Sequence, residues 1–368
     1  MRLLRQDGLW RTDDVVEGPP LVAVLEVGGA VLEWTVDAGA GGAAPSMTFT
    51  DPGRADWLWQ AVGVRGHVAL LAALGRSDPA EPMIEVPGVR PDPAVFAPVH
   101  RLALGHWLLR WWPASRLDGI AALDPALLAA EIAVLTVAAE QFFTGETLDS
   151  DLAPLLAAHT PALVRHLGGT DSRVRDIAGA ALAIADDVGV GPPPPPPPVP
   201  AAARSRDDYA LFAGGGAPTA AAIARGAGSL SWSRVPAGMF DAAENTVRWR
   251  IDAAAGAVTG TVEVALQEAG DAAGVAVRLS SGGLVAAGVL DSTGRAVLPL
   301  HDGQRPAGEA AAWNHDWSRT VVTIGAPADA PTETPEARSR VRTFARARLA
   351  RPTESSFLAE RLATESLY

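Results

Sequence analysis

The sequence predicts an α+β fold in which strands and helices segregate along the chain. Three observations carry this. Strand-like runs at residues 21–27 and 30–36 flank Gly28-Gly29, helix-compatible segments rich in Ala and Leu follow between residues 125 and 188, and short apolar runs recur after a block of seven prolines, Pro192 to Pro198. The boundaries follow: a mixed β/helical domain at 1–190, a proline-rich linker at 191–206, a β-sandwich at 207–330 and an amphipathic Arg-rich helical tail at 331–368.

The Gly-Gly pair suits a tight hairpin turn, with Trp34 among β-branched neighbours. The first hundred residues otherwise read as β-rich and irregular. Six prolines between residues 76 and 100 (79, 82, 87, 91, 93 and 98) forbid a regular helix and predict a long ordered loop. Beyond Leu117 the character changes to a small helical bundle. Asp124 can cap and Pro125 suits the first helical position of a run from Ala126 to Phe143, ahead of Gly145. A second helix fits Thr160-Pro161 through Leu167, stopped by Gly168-Gly169, and a third fits Asp171 to Val188.

Consecutive prolines adopt polyproline II, at about 3.1 Å per residue, so the run predicts a semi-rigid spacer of roughly 25–30 Å. A ligand for an SH3-like or profilin-like groove is the alternative, without close basic flanks to support it. Gly214-Gly215-Gly216 reads as a flexible loop rather than a phosphate cradle, lacking fingerprint spacing and lysine. Strands then fit residues 229–234, 246–251, 258–266, 275–279, 284–290, 295–300 and 320–324. In Val247-Arg-Trp-Arg-Ile251 apolar residues alternate with Arg, giving one buried and one wet face. Roughly seven short strands with turns every 8–12 residues predict an antiparallel sandwich.

Gly274-Val-Ala-Val-Arg-Leu, then Gly288-Val-Leu-Asp291-Ser-Thr-Gly294-Arg-Ala-Val-Leu, resembles the carboxypeptidase-regulatory or prealbumin-like β-sandwich over residues 270–330. In that family a Thr-Asp-x-x-Gly turn links two strands. Asp291 and Gly294 match it, and Leu290 stands where the family has Thr. The resemblance implies an accessory, usually non-catalytic domain.

In the tail, Thr334-Pro335-Glu336 starts a helix, with cap, proline and acid in their favoured places. Val341, Phe344, Ala345 and Leu349 form an apolar stripe, and six Arg and no acid lie between Arg338 and Arg351. Pro352 ends the helix, and a second short amphipathic helix begins at Ser356-Phe357. Such a helix can lie on an anionic membrane, bind an acidic partner or dock on its own acidic N-terminal half. Its small apolar residues rank the membrane last.

The chain has 368 residues, 48% of them hydrophobic, and a net charge of −12. It contains no Cys and no Lys, so all 30 basic side chains are Arg. Disulfides, thiol nucleophiles, Cys-ligated metals, a Walker A lysine, a pyridoxal-phosphate Schiff base and a kinase lysine are thereby excluded. Residues 1–190 carry 13 Arg against 24 acids, which would repel a phosphate backbone and argues against nucleic acid. The N-terminus turns polar after two leucines, and charges, Gly or Pro interrupt every apolar run of about 18 residues, so a cytoplasmic protein without membrane attachment is expected.

The seven histidines are 67, 100, 106, 159, 166, 301 and 315. No metalloprotease, nucleophile-elbow or EF-hand spacing occurs. His100 and His106, six apart, do not share a helix face, and His159 is placed before the helix holding His166. Glu131 and Glu140 lie on opposite sides of the most apolar helix, where burial could raise a carboxyl pKa for acid–base work, but an ion pair to Arg116 or Arg110, or plain exposure, is the preferred reading. Trp107 and Trp111 would share a helix face as core or interface. Trp313-Asn-His315-Asp316-Trp317 is the densest polar–aromatic cluster and reads as interface or packing.

These residues predict a non-enzymatic protein–protein interaction or scaffold component of a cytoplasmic bacterial multi-protein system, in the style of a defence or regulated-peptidase accessory. The interface candidates are Trp313, His315, Trp317, Arg338, Arg342, Phe344, Arg346 and Leu349. No cofactor, metal or catalytic residue is assigned; the partners are other proteins, and an oligomer is compatible. The alternative is a hydrolase in which at least two of His67, His100, His106 and Glu131 converge within hydrogen-bond reach.

Overall fold

A computed structural model describes residues 1–12, 17–38, 44–76, 78, 81–140, 142–143, 152–191, 222–254, 256–268, 270–326 and 332–366. Pro192 to Pro198 and Gly214 to Gly216 lie outside the described residues. Eight α-helices and three antiparallel sheets among the described residues make a mixed α+β fold. The chain divides into two compact units. The first comprises Met1–Trp112, Ile120–Pro193 and Glu333–Tyr368; the second comprises Pro113–Gly119 and Pro194–Thr332.

In the first unit, β1 (Arg2–Gln6), β2 (Leu9–Arg11), β3 (Val22–Val27), β4 (Ala30–Thr35), β5 (Ser46–Phe49) and β6 (Met83–Glu85) form one sheet, in the order β3-β4-β5-β2-β1-β6. The β3–β4 hairpin closes at Val27 opposite Ala30, as the Gly-Gly pair predicts. One helix was not expected, and a second, the one that carries Trp107 and Trp111 on one face, starts earlier than the predicted loop allows. α1 (Trp59–Arg76) bends at Gly63, whose φ of 73° interrupts the helical pattern. α2 (Ala97–Trp111) starts inside the proline-dense stretch, because Pro98 occupies its first turn, where no intrahelical N–H bond is lost.

α3 (Pro125–Glu140) is capped by Asp124, which accepts from the Ala126 and Leu127 amides at 2.8 and 3.2 Å. α4 (Leu152–Leu167) begins earlier than predicted and continues through Pro161. α5 (Ser172–Asp187) is capped by Asp171. Leu156, Leu163, Ala133, Ala178 and Ala181 pack in one core across these three helices.

In the second unit, β7 (Ala222–Gly228), β8 (Val247–Ala254), β9 (Ala257–Val264) and β12 (Arg295–Pro299) form a sheet in the order β12-β9-β8-β7. β10 (Ala276–Ser281), β11 (Leu284–Val289), β13 (His301–Asp302), β14 (Arg305–Pro306) and β15 (Val321–Ile324) form another, ordered β14-β13-β11-β10-β15. The two meet face to face in a sandwich-like arrangement. Ile251, Val262, Leu279 and Ala286 are buried between them, and a Cβ placed on Gly260 of β9 would touch Leu279 and Ala286 of the other sheet. Asp291 accepts from the Thr293 and Arg295 amides, both at 2.9 Å, and Gly294 takes φ +79° at a place where a Cβ would sit 2.6 Å from the Val264 carbonyl, so the Asp-x-x-Gly sequence makes a tight turn. A short helix, α6 (Glu309–Trp313), precedes β15.

One predicted strand is absent. Residues 229–234 bend into a 3-10 turn at Trp232–Arg234, and the bend turns both Leu230 and Trp232 inward. Their period-two pattern imitates a strand, while the true strand, β7, lies just upstream.

The 1–190 domain and the separate tail predicted from sequence are both redrawn. Residues 113–119 join the sandwich unit: the Ala114 carbonyl accepts from the Ala242 amide at 3.0 Å and from the Gln267 side chain at 2.7 Å. The tail forms α7 (Pro335–Ala350) and α8 (Leu358–Glu365), and both belong to the first unit. Its apolar stripe explains this, since Ala345 and Leu349 bury against Ile120 and Ala363.

Candidate functional site

Of the three roles open to the Arg-rich helix, docking on the acidic N-terminal unit is the one seen. Arg340 makes paired bonds to Glu17 at 2.6 and 2.9 Å and to Asp37 at 2.7 and 2.8 Å. The guanidinium holds the Asp37 carboxyl below its usual range. Phe344 meets Trp107 edge to face, with ring centroids 5.5 Å apart. Arg338, Arg342 and Leu349 are buried within the same unit, while Arg346 is exposed. Of the residues offered to a partner, Phe344, Arg338, Arg342 and Leu349 are thus spent on packing the chain's own tail, and Arg340, which was not among them, supplies its ion pairs.

The residues of the hydrolase alternative are employed separately. Glu131 is buried and both oxygens are taken: one accepts from Arg101 at 3.1 Å, the other from the Leu358 amide at 2.5 Å. Burial raises its pKa. His100 stacks on Trp34 at 5.2 Å, and burial, helped by the Arg348 charge, lowers its pKa. The Nε2 of His67 is buried without a hydrogen-bond partner. His106 lies on α2, six residues beyond His100. His67, His100 and Glu131 are not hydrogen-bonded to one another.

His159 and His166 are both inside α4, two turns apart, because that helix starts at Leu152. Asp124 accepts from His166 Nε2 at 2.8 Å while capping α3. Burial lowers the His159 pKa, and Asp124 partly offsets this. No group of three or more His, Asp and Glu able to hold a metal ion occurs among the described residues.

In the second unit, the Trp-Asn-His-Asp-Trp cluster falls between α6 and β15. Trp313 is half exposed. His315 Nε2 lies 2.9 Å from the Ser281 hydroxyl and its ring meets the edge of Trp317 at 4.7 Å. Trp317 donates to the Ala312 carbonyl at 2.9 Å, and Asp316 accepts from the Ser318 amide at 3.0 Å; the Ser318 side chain first, and this amide second, lower the Asp316 pKa. His315 thus does meet a serine hydroxyl, the pairing of a base with a nucleophile, but Ser281 is buried and donates to the Asp316 carbonyl at 3.4 Å, so the contact packs the cluster instead of presenting a hydroxyl to a substrate.

Trp317 leads to a neighbouring feature, since its ring lies 6.5 Å from that of Trp249 on β8. Residues 225–227 of β7 and 248–250 of β8, with Thr261 and Glu263 of β9, line a concavity of about 510 Å³. It exists because side-chain lengths alternate. Gly226, Ala227 and Thr261 are short, whereas Arg225, Arg248 and Arg250 are long. Gly226 must stay bare: a Cβ there would sit 2.5 Å from the Trp249 ring. No known protein family, curated protein or solved structure matches this chain. The concavity must therefore be read from its own chemistry.

Arg225 stands directly opposite Arg250, and Arg248 opposite Glu263. Like charges facing across strands are destabilising. Arg250 is relieved by Asp252 at 2.7 Å, and Glu263 pairs with Arg295 at 3.4 Å. Arg225 and Arg248 are exposed and form no ion pair with the described residues. Sequence reasoning passed over these arginines. The Arg-Trp-Arg alternation marks a strand with one wet face, and it carries no sign of the arginine on the neighbouring strand.

A second exposed surface lies on the first unit. One helix among the described residues, Asp56–Arg76, is long and apolar enough by length and composition to cross a membrane, although Gly63, Arg65, Gly66 and Gly75 interrupt its apolar run as expected. Val64 and Val68 are exposed along it.

Proposed function

We propose that this chain is a non-catalytic interaction component of a cytoplasmic multi-protein assembly, and that its sandwich unit carries the binding face. The observation that supports this is the Arg-lined concavity, where Arg225 opposes Arg250 across two strands without an acid of its own. A like-charge pair kept on a sheet face is a local conflict of the kind that function tolerates. The resemblance of residues 270–330 to an accessory sandwich domain agrees with this reading. On the first unit, the tail serves as an internal closure, and Glu131 is a cap for α8 rather than an acid or base.

The test is affinity purification from the native host with two baits: the chain itself, and Arg225→Glu/Arg248→Glu checked by thermal melting for intact folding. A protein that co-elutes with the first and is lost from the second supports the reading. Identical co-eluting sets, or none at all, would sink it.

A further inference from the structure

We infer that the partner presented to the second unit is an extended acidic peptide segment that adds as a strand beside β7, with its carboxylates on Arg225, Arg248 and Arg250. This deepens the reading above and rests on it.

Two independent features converge on this occupant. The first is the edge. β7 pairs with β8 alone among the described strands, so one side of its backbone has no strand partner there. Natural sheet edges are blunted by proline, charge or bulges. The opposite edge of this sheet, β12, ends in Pro299, whereas β7 reads Ala-Ile-Ala-Arg-Gly-Ala-Gly, with one charge and an irregularity confined to Ala222/Ala224. Its small side chains leave the backbone accessible to an added strand.

The second feature is spacing. Arg248 and Arg250 are two apart on one strand, so they stand on one face at a separation of about 6.6–6.8 Å. An extended peptide with an acid at every second residue repeats its carboxylates at the same interval. Guanidinium groups take carboxylates through paired, charge-assisted bonds. The Thr261 floor, Glu263 at one end and the short Gly226 and Ala227 give the concavity of about 510 Å³ room for such side chains.

The experiment uses the full chain and fluorescein-labelled nine-residue peptides, read by fluorescence anisotropy at low and physiological salt. One peptide carries Glu at alternate positions between Thr and Val; a second replaces each Glu by Gln. Two N-methylated versions of the first block the amides of one or the other backbone edge, and a poly-dT oligonucleotide is the polyanion control.

The alternating Glu peptide should bind at least tenfold tighter than its Gln version and weaken with salt. Arg248→Glu, and independently the milder Arg248→Gln, should cut binding at least fivefold. One N-methylated version should lose binding while the other keeps it. Equal binding of both N-methylated versions overturns strand addition, and equal or tighter binding of poly-dT overturns a peptide partner. If no peptide binds yet the charge-reversed bait still loses its co-eluting protein, the acidic-strand inference fails and the interaction reading stands. If the acidic peptides bind as expected but no protein depends on the face, the interaction reading fails and takes with it the inference that rests on it.

Discussion

Arg340 and Phe344 both fasten α7 to the first unit, through interactions of unequal strength. The Arg340 side chain is 41% exposed, and its partners Glu17 and Asp37 are 34% and 23% exposed. Pairs this wet contribute about 0–1 kcal/mol each, so Arg340→Ala should cost about 1 kcal/mol. Phe344 is half buried against Trp107, and Arg348 lies over its other side at 5.5 Å. Phe344→Asp removes that packing and presses a carboxylate against an indole, at a cost of about 2–4 kcal/mol. Urea denaturation of both variants checks the order; a larger loss from Arg340→Ala would refute it. His100 gives a pH prediction. Its folded pKa lies below the ordinary 6.5, chiefly through burial. The unfolded chain therefore takes up the proton first, so stability is full above pH 6.5 and declines as pH falls through the folded value. His100→Phe retains an aromatic ring against Trp34 and should flatten the loss between pH 7.5 and 5.5. His159, lowered in the same direction, leaves a remainder. An unchanged pH profile would remove His100 from the account.

At the scale of elements, α7 and α8 act as the closing layer of the first unit. α8 supplies the Leu358 amide to Glu131, and its Glu360, fully buried, accepts from Arg348 at 2.5 and 2.6 Å and from the Phe357 amide at 2.8 Å. Phe357 is itself fully buried beside Gly105 of α2. A chain ending at residue 332 leaves Glu131 buried with half its partners gone and uncovers that apolar seam. Leaving a buried charge short of its bonds costs about 1–3 kcal/mol or more, before the lost packing is counted. The truncated chain should lose the melting transition of the first unit while keeping that of the sandwich; two unaltered transitions would show the tail to be dispensable. The sequence spoke clearly wherever a local signal was enough. The β3–β4 turn, the Asp124 and Asp171 caps, the Thr334 cap and six of the predicted sandwich strands all rest on residues within one turn or strand. It was silent where the deciding residue is distant. α1 and α2 hide behind Gly63 and Pro98, which look like breakers until their positions in the helices are known. The Arg concavity needs the register that puts Arg225 against Arg250, and no spacing along one strand reveals a neighbour across two.

On the scale of the molecule, chain order and unit membership disagree, which has a measurable consequence. The sandwich unit borrows residues 113–119 from the stretch between α2 and α3. What they contribute centres on Asp241, only 2% exposed. One of its oxygens accepts from the Arg116 and Leu117 amides at 2.9 and 3.4 Å, the other from the Ala243 amide at 3.0 Å. Excising residues 194–332 therefore keeps the Ala243 bond and strips the other two. The Gln267 side chain loses its acceptor, the Ala114 carbonyl, in the same cut. Hydrogen bonds to a charged group contribute about 1.5–3 kcal/mol each, so the fragment should be less stable than the sandwich in the full chain by roughly 3 kcal/mol. Fusing residues 113–119 to the fragment through a flexible Gly/Ser linker should recover much of that loss. Asp241→Ala in the fused fragment should abolish the recovery, because the amides of residues 116 and 117 then have no carboxylate to meet. Urea unfolding of the three proteins decides it: a bare 194–332 fragment as stable as the fused one would mean that the borrowed segment only lies against the sandwich and does not complete it.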